Sequence, residues 1–392
     1  AKGELIALSG NTGYLTTGPH LHFEVYEMNN AARANYPYYG TVDPQTWLMV
    51  EDAPPPTAGA SFAMLEEIGA ATAMIRTVKS VDGAMVPKAS WYSGANTFDP
   101  NKAKMATGDF NADGFMDIVL LYDYGGSTAR LWTLLWNGKH YDAYEAWFSG
   151  VGAFDCRRAR LVGGNFDADA RGEIALLYDY GGATARLWLF DSTENGRGFT
   201  QPQEKWMSSS GGFDANRANL VAGDFNGSGP DEVGVLYDYG STARFWAFLD
   251  GGSGRYNAVE YWLSGPGAFD AGRTKITAGD FGGGSHDDLA ILYDYGNSTA
   301  RFWTLISNGS RMATNEAWFS LPGNFSVNQA AFRAGSFDSV AKDDIALVYD
   351  YGNATTRIWR FGSDGAAQPR FSPVESWYSG FGGFDSRMCR LE

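Results

Sequence analysis

The tetrapeptide Tyr-Asp-Tyr-Gly begins at Tyr122, Tyr178, Tyr237, Tyr293 and Tyr349, at intervals of 56, 59, 56 and 56 residues. Two further markers keep the same step. Trp-x-Ser-Gly, or a near variant, starts at Trp91, Trp147, Trp206, Trp262, Trp318 and Trp377. Arg-x-Trp starts at Arg130, Arg186, Arg244, Arg301 and Arg357, so 11 of the 13 Trp occupy two repeat positions. Self-similarity at this period means one supersecondary unit stacked on copies of itself.

Each unit reads as four strands. In the first complete copy, strand a lies around Lys104–Thr107, and the loop DFNADGFMD leads to strand b, Ile118–Tyr124. A tight turn at Gly125–Ser127 leads to strand c, Thr128–Leu135, and strand d runs about Tyr144–Ser149. Ile118, Val119, Leu120 and Leu121 are apolar without alternation, which suits a strand buried on both faces. Four short antiparallel strands, radially repeated, describe the blade of an all-β propeller. Five copies are complete, and 61–91 aligns without gaps on 117–147, supplying strands b, c and d of another. The C-terminal ESWYSGFGGFDSRMCRLE ends at the start of a strand a. Joining the two pieces predicts six blades and a closed ring without open edges. Seven blades is the alternative if the chain continues past residue 392.

Composition agrees and narrows the function. Gly is 50 of 392 residues, aromatics 15% and charged residues 19%, a balance of strands and tight turns rather than helices. The formal net charge of −15 disfavours nucleic acid and anionic membrane surfaces as partners. No apolar run reaches the roughly 18 residues of a membrane helix, so no membrane insertion is expected. Cys156 and Cys389 make no disulfide framework and no Cys-x-x-Cys motif. The chain starts at Ala1 with no signal-peptide pattern, as a processed or trimmed product would.

Residues 1–50 have a different character, and 51–59, EDAPPPTAG, read as a stiff proline-rich linker to the repeats at 60–392. The stretch Thr17-Gly18-Pro19-His20-Leu21-His22-Phe23-Glu24-Val25 puts two histidines on one face of a strand, a spacing that suits a metal ligand and a catalytic neighbour. It resembles the last block of the lysostaphin-like (LytM-type) zinc endopeptidases that cut peptidoglycan cross-bridges, and Val42-Asp43-Pro44 fits the end of that domain. The resemblance implies a zinc ligand in His22 and an acid/base partner in His20. That family's upstream His-x-x-x-Asp is absent, and His140 and His286 fall inside the repeats. A zinc hydrolase needs about three protein ligands, so whether this chain is an enzyme stays open, and hydrolysis by the chain alone is not expected.

In the first repeat the a–b loop reads Asp109-x-Asn111-x-Asp113-Gly114-x-x-Asp117, with oxygen side chains at alternate positions, as Ca²⁺ requires. Later copies lose these ligands. The plain alternative is an Asp/Asn/Gly turn satisfied by its own backbone. The b–c turns and d–a connectors share one face of the disc and are nearly uniform among copies, whereas the a–b and c–d loops drift. Two causes fit that uniformity. One is structural, with Asp123 facing Arg130 across the hairpin (likewise Asp179/Arg186, Asp294/Arg301 and Asp350/Arg357) and the Trp packing between blades. The other is a repeated sugar site, an aromatic ring beside an Arg–carboxylate pair.

The whole pattern, WxSGxGxFD…GDFNxDGxxDixxLYDYGxxTARxW, resembles the Photorhabdus-type bacterial propeller lectins and, more broadly, the VCBS/FG-GAP repeat proteins. That resemblance implies binding of fucose-like or methylated sugars at sites formed by Tyr124, Arg130 and Trp147. The equivalent positions are Tyr180, Arg186 and Trp206; Tyr239, Arg244 and Trp262; Tyr295, Arg301 and Trp318; and Tyr351, Arg357 and Trp377. The expected function is a multivalent lectin-like propeller attached to a peptidoglycan endopeptidase, secreted and directed to cell-wall or surface glycans. The alternative is a zinc endopeptidase, incomplete here, with the propeller as a targeting or protein-binding scaffold.

Overall fold

The computed structural model describes residues 25–26, 41–42, 56–57 and 60–391, apart from 168, 283, 339–341 and 382. The chain divides into two units, Ala1–Asp52 and Ala53–Glu392. In the first, Val25–Tyr26 pairs antiparallel with Thr41–Val42. His20 and His22 lie outside the described residues.

The second unit is a six-bladed β-propeller, each blade an antiparallel sheet. In the first blade the strands are Ala103–Gly108, Asp117–Gly125, Thr128–Trp136 and Tyr141–Phe148, in the spatial order of the chain. Blades two to five repeat this plan from Ala159, Ala218, Thr274 and Ala330. Ile118, Val119, Leu120 and Leu121 are all 0% exposed, as the unbroken apolar run requires of a strand with a sheet on either side.

The sixth blade is built from both ends of the repeat region. Cys389–Leu391 pairs with Ser61–Gly69, in the register Leu391↔Met64, and that strand pairs with Thr72–Val81. Lys88–Tyr92 completes the sheet. Leu391 enters a core with Phe62, Met64 and Phe337, so the last strand is held by packing as well as by its ladder. The ring is thereby closed, and the inner edge of Ser61–Gly69 is covered. Pro56 assists this closure, since its carbonyl accepts from the Met116 N–H at 3.0 Å.

Blade seams are tight near the axis. A Cβ on Gly163 would lie 2.2 Å from the Thr107 carbonyl of the preceding blade, so only glycine lets these inner strands approach. Farther out, Asp231 and Asp287 clasp their neighbours. Their carboxylates accept the N–H groups of Asn165 and Asp224 at 2.8 and 2.9 Å, while their own N–H groups donate back to the same residues' carbonyls.

Candidate functional site

The uniform face separates into residues that build the blade and residues left over. Within Tyr-Asp-Tyr-Gly, Tyr122 is buried and its hydroxyl accepts from the Asp99 N–H at 3.2 Å, anchoring the connector that enters the blade. The Asp123 carboxylate accepts from the Gly125 N–H at 2.8 Å and closes the b–c turn, where Gly125 takes φ 79°. Within Trp-x-Ser-Gly, the Ser149 hydroxyl accepts from Ala129 N–H at 2.9 Å, a bond repeated at Ser93, Ser208, Ser264, Ser320 and Ser379. Phe154 of Gly-x-Phe-Asp stacks on Tyr178 at 4.7 Å. These contacts account structurally for much of the uniformity.

The second tyrosine of each tetrapeptide has no such duty. Tyr124, Tyr180, Tyr239, Tyr295 and Tyr351 are 41–48% exposed. Beside each ring stands the repeated arginine, with its guanidinium carbon 4.8–5.2 Å from the ring centroid. The arginine's charge partner is a glutamate of strand d. Arg186 meets Glu204 at 2.7 Å and Arg244 meets Glu260 at 2.6 Å, and Arg130–Glu145, Arg301–Glu316 and Arg357–Glu375 repeat the pair. The expected Asp123–Arg130 pairing, and its equivalents at Asp179, Asp294 and Asp350, is thereby corrected. The hairpin register opposes Arg130 to Tyr122 and Asp123 to Ala129, and each aspartate is used by its own turn.

Exposed pairs of this kind contribute roughly 0–1 kcal/mol each, so their effect is to fix the guanidinium in place. In Arg130, Arg186, Arg244 and Arg357 the Nε is buried and has no hydrogen-bond partner. Glu204 also receives Arg255 of the third blade at 2.5 Å. Burial works to raise its pKa, and the hydrogen bonds and charges of Arg255 and Arg186 more than offset this, holding it below the usual carboxylate range.

Trp147 is placed differently from Tyr124 and Arg130. Glu145 opposes Trp132 and Trp147 opposes Leu131, with a bulge between them. Arg130, Trp132 and Glu145 therefore share one face of the sheet, and Trp147 projects from the other. There it packs on the next blade, 5.3 Å from Phe190, whose position in strand c shares a face with Arg186 and Trp188. The same holds for Trp206 on Phe248 and Trp318 on Phe361. Trp262 donates through Nε1 to Thr314 Oγ1 of the fourth blade at 2.9 Å, and Trp377 packs near Phe384. The three positions named together in each repeat thus do not meet within a blade. Trp147, Trp206, Trp262 and Trp318 lie at the seam with the Tyr and Arg of the following blade, and Trp91 of the sixth blade packs against the first. Trp377 faces the sixth blade, where Ile68 and Met74 stand in place of the Tyr and Arg.

One seam shows the resulting site. Between blades two and three a cavity of about 240 Å³ is lined by Trp206 and Ser208 on one side and by Tyr239, Trp246 and Phe248 on the other. The Nε1 of Trp246 is buried without a partner, whereas those of Trp132 and Trp303 donate to the hydroxyls of Tyr124 and Tyr295 at 3.2 and 3.1 Å. The strand c tryptophans and the strand d glutamates were not singled out as site residues from sequence. The signal was present in the glutamate two residues ahead of the strand d tryptophan in the five complete repeats, at Glu145, Glu204, Glu260, Glu316 and Glu375.

The acidic loops lie at the opposite end of the blades. Asp109, Asn111 and Asp113 each accept from backbone N–H groups of their own loop. Asp117 is fully buried, and its two oxygens accept from Phe110 and Trp136 N–H. Burial, with Asp113 and Asp109 adding to it, pushes its pKa up to about 7. Three side chains, Asp109, Asn111 and Asp113, remain toward solvent, and a Ca²⁺ there would complete its six to eight oxygens with backbone carbonyls and water. The carboxylates close enough to share a cation, among the described residues, are Asp167, Asp169 and Glu173 of the second repeat, and Arg171 already pairs with Asp169.

No protein-family model matches the sequence, and no curated protein matches it. Solved structures do. A lectin of Agrocybe aegerita, described for specific recognition of non-reducing terminal N-acetylglucosamine, is 14% identical with a TM-score of 0.52, covering 88% of this chain and 98% of the lectin. A six-bladed fungal lectin of Aleuria aurantia, described for its fucose recognition, is 11% identical with a TM-score of 0.46, covering 85% and 99%. At such identities the likeness is one of fold.

Proposed function

We propose that the propeller is a multivalent carbohydrate-binding module whose sites lie at the blade seams. The observation that carries this is the fivefold recurrence of one cluster: an exposed Tyr ring, an Arg held by a Glu, and an inward Trp. A pyranose lays its apolar face on an aromatic ring, and its hydroxyls exchange hydrogen bonds with guanidinium and carboxylate groups. The fold is shared with the N-acetylglucosamine-recognising lectin. The exposed ring and its apolar neighbours favour a fucose-like or methylated sugar. Several weak sites on one rigid face gain avidity without new contacts.

The test is a glycan array followed by titration of the best ligand. Alanine at all five exposed tyrosines abolishes binding if the clusters are the sites. Unchanged binding by a folded variant overturns the proposal.

The amino-terminal TGPHLHFEV supports a second element, a LytM-type remnant that ties the module to peptidoglycan and to a secreted, extracellular setting. That reading, the VCBS/FG-GAP kinship and the division at residues 50 and 60 rest on sequence. Zinc analysis of wild-type and His22→Ala protein tests the remnant, and stoichiometry unchanged by the substitution excludes His22 as a ligand. Calcium at the acidic loops is tested by the same analysis.

A further inference from the structure

The inner strands surround a cavity of about 390 Å³ on the propeller axis, and four basic side chains line it: Lys104, Arg160, Lys275 and Arg390. They occupy the same register position, the second residue of the inner strand, in blades one, two, four and six. Asn219 holds that position in blade three. None of the described residues lining the cavity is acidic, in a chain whose net charge is −15.

Each cation leans one blade onward. Lys104 and Lys275 donate to the carbonyls of Ala159 and Ala330, Arg390 to those of Ala103 and Asn101, and Arg160 to Ala215 and Asn216 at 2.8 and 3.2 Å. Carbonyl dipoles satisfy some donors but supply no opposite charge, and among the described residues no carboxylate lies within ion-pair distance of the four. Burial, and then the nearby charge of Arg160, lowers the pKa of Lys104, with Arg390 adding to it. Burial also lowers Lys275 and Arg160. Four like charges facing one axial cavity repel each other, and an anion on the axis relieves that repulsion at every one of them.

We propose that the axial cavity binds a tetrahedral oxyanion, a sulfate or phosphate group, between Lys104, Arg160, Lys275 and Arg390. The cavity lies at the end of the blades where strand d turns into the next inner strand, the end that also carries the five Tyr–Arg clusters. An oxyanion there comes either free from solution or as the ester group of a glycan. The inference does not depend on the sugar sites.

The test is thermal unfolding with sodium sulfate against sodium chloride at matched ionic strength. Sulfate also stabilises proteins by exclusion from their surface, so wild type is compared with Asn219→Asp, which adds a carboxylate to the ring at nearly constant volume. Sulfate at tenfold its dissociation constant raises the Tm of wild type by about 2 °C more than it raises that of Asn219→Asp. Without sulfate, Asn219→Asp unfolds above wild type. Lys104→Gln with Lys275→Gln likewise removes the sulfate response. Equal sulfate responses in wild type and Asn219→Asp overturn the proposal. A galactose 6-sulfate arm separates the sources, since a free-ion site takes inorganic sulfate alone and an ester site takes both.

Discussion

Trp206 of the second blade and Phe248 of the third meet edge to face, with ring centroids 5.0 Å apart. The indole therefore belongs to the seam before it belongs to any ligand. Trp206→Ala is expected to cost roughly 3 kcal/mol, near the lower end for losing a packed aromatic, measured by urea unfolding. Tyr239→Ala, at a half-exposed ring across the same cavity, is expected to change stability by no more than about 0.5 kcal/mol while weakening glycan binding there. Equal stability losses for the two would place Tyr239 in the packing as well.

The blade count, the four strands and the closing C-terminal strand were legible in the sequence because they depend on period, burial and turn residues, all local signals. The composition of the site was not, for two physical reasons. The bulge between Glu145 and Trp147 turns the indole to the opposite face, and strict alternation has no means of showing a bulge. Asp123 and Arg130 are opposite charges near one turn, but the carboxylate is satisfied more cheaply by the Gly125 N–H two residues away. The arginine then finds Glu145, fifteen residues on, whose role shows only once the blade is folded.

Glycan binding is expected to be unaffected by EDTA. The acidic loops open from the start of strand b and the exposed tyrosines sit at its end, so Asp117 and Tyr124 are separated by about 23 Å at roughly 3.3 Å per residue. Removing a cation at the loops acts on stability, read as a lower Tm, and leaves the sugar dissociation constant unchanged. A parallel loss of affinity would show that the two ends of the blade are coupled.

Acidification from pH 8 to pH 5.5 is expected to stabilise the fold. Burial raises Asp231 to about 6, Asp117, Glu232, Asp287 and Asp288 to about 7, and Glu173 to about 8. A carboxylate whose folded pKa exceeds its unfolded value binds more protons when folded. Its stabilising effect is fully present below the unfolded pKa near 4 and is lost as pH rises through the folded one. Tm should therefore fall steadily between about pH 5 and pH 8. Asp287→Asn keeps an acceptor for the Asp224 N–H and removes one titration, which should flatten the slope. A Tm rising over this range would contradict the assignment.

Neither thiol is expected to react in the native state. Burial, with Asp123 adding to it, pushes Cys156 up to about 12, and burial with the charge of Glu66 raises Cys389 well above its ordinary value. The thiolate is the nucleophile, so a maleimide at pH 7.5 should label the folded chain slowly and the urea-unfolded chain at both positions. Rapid native labelling at Cys389 would mean that the closing strand detaches.

That strand carries the last prediction. Cys389–Leu391 supplies the inner edge of the sixth blade. Arg390 donates to Ala103 of the first blade, and the Leu391 carbonyl accepts from Arg333 of the fifth at 2.6 Å. A chain ending at Arg387 loses these bonds together with the buried Leu391 side chain. At about 1 kcal/mol per hydrogen bond and roughly 1.5–3 kcal/mol for the leucine, several kcal/mol are lost. It also exposes the edge of Ser61–Gly69, a row of free N–H and C=O groups that pairs readily with another copy. The truncated protein should unfold at a lower temperature and elute as dimers or larger species. Leu391→Asp, which keeps the backbone ladder but opposes burial, should show the lower Tm with less association. A truncated chain that stays monomeric and equally stable would mean that the ring does not depend on this strand for closure.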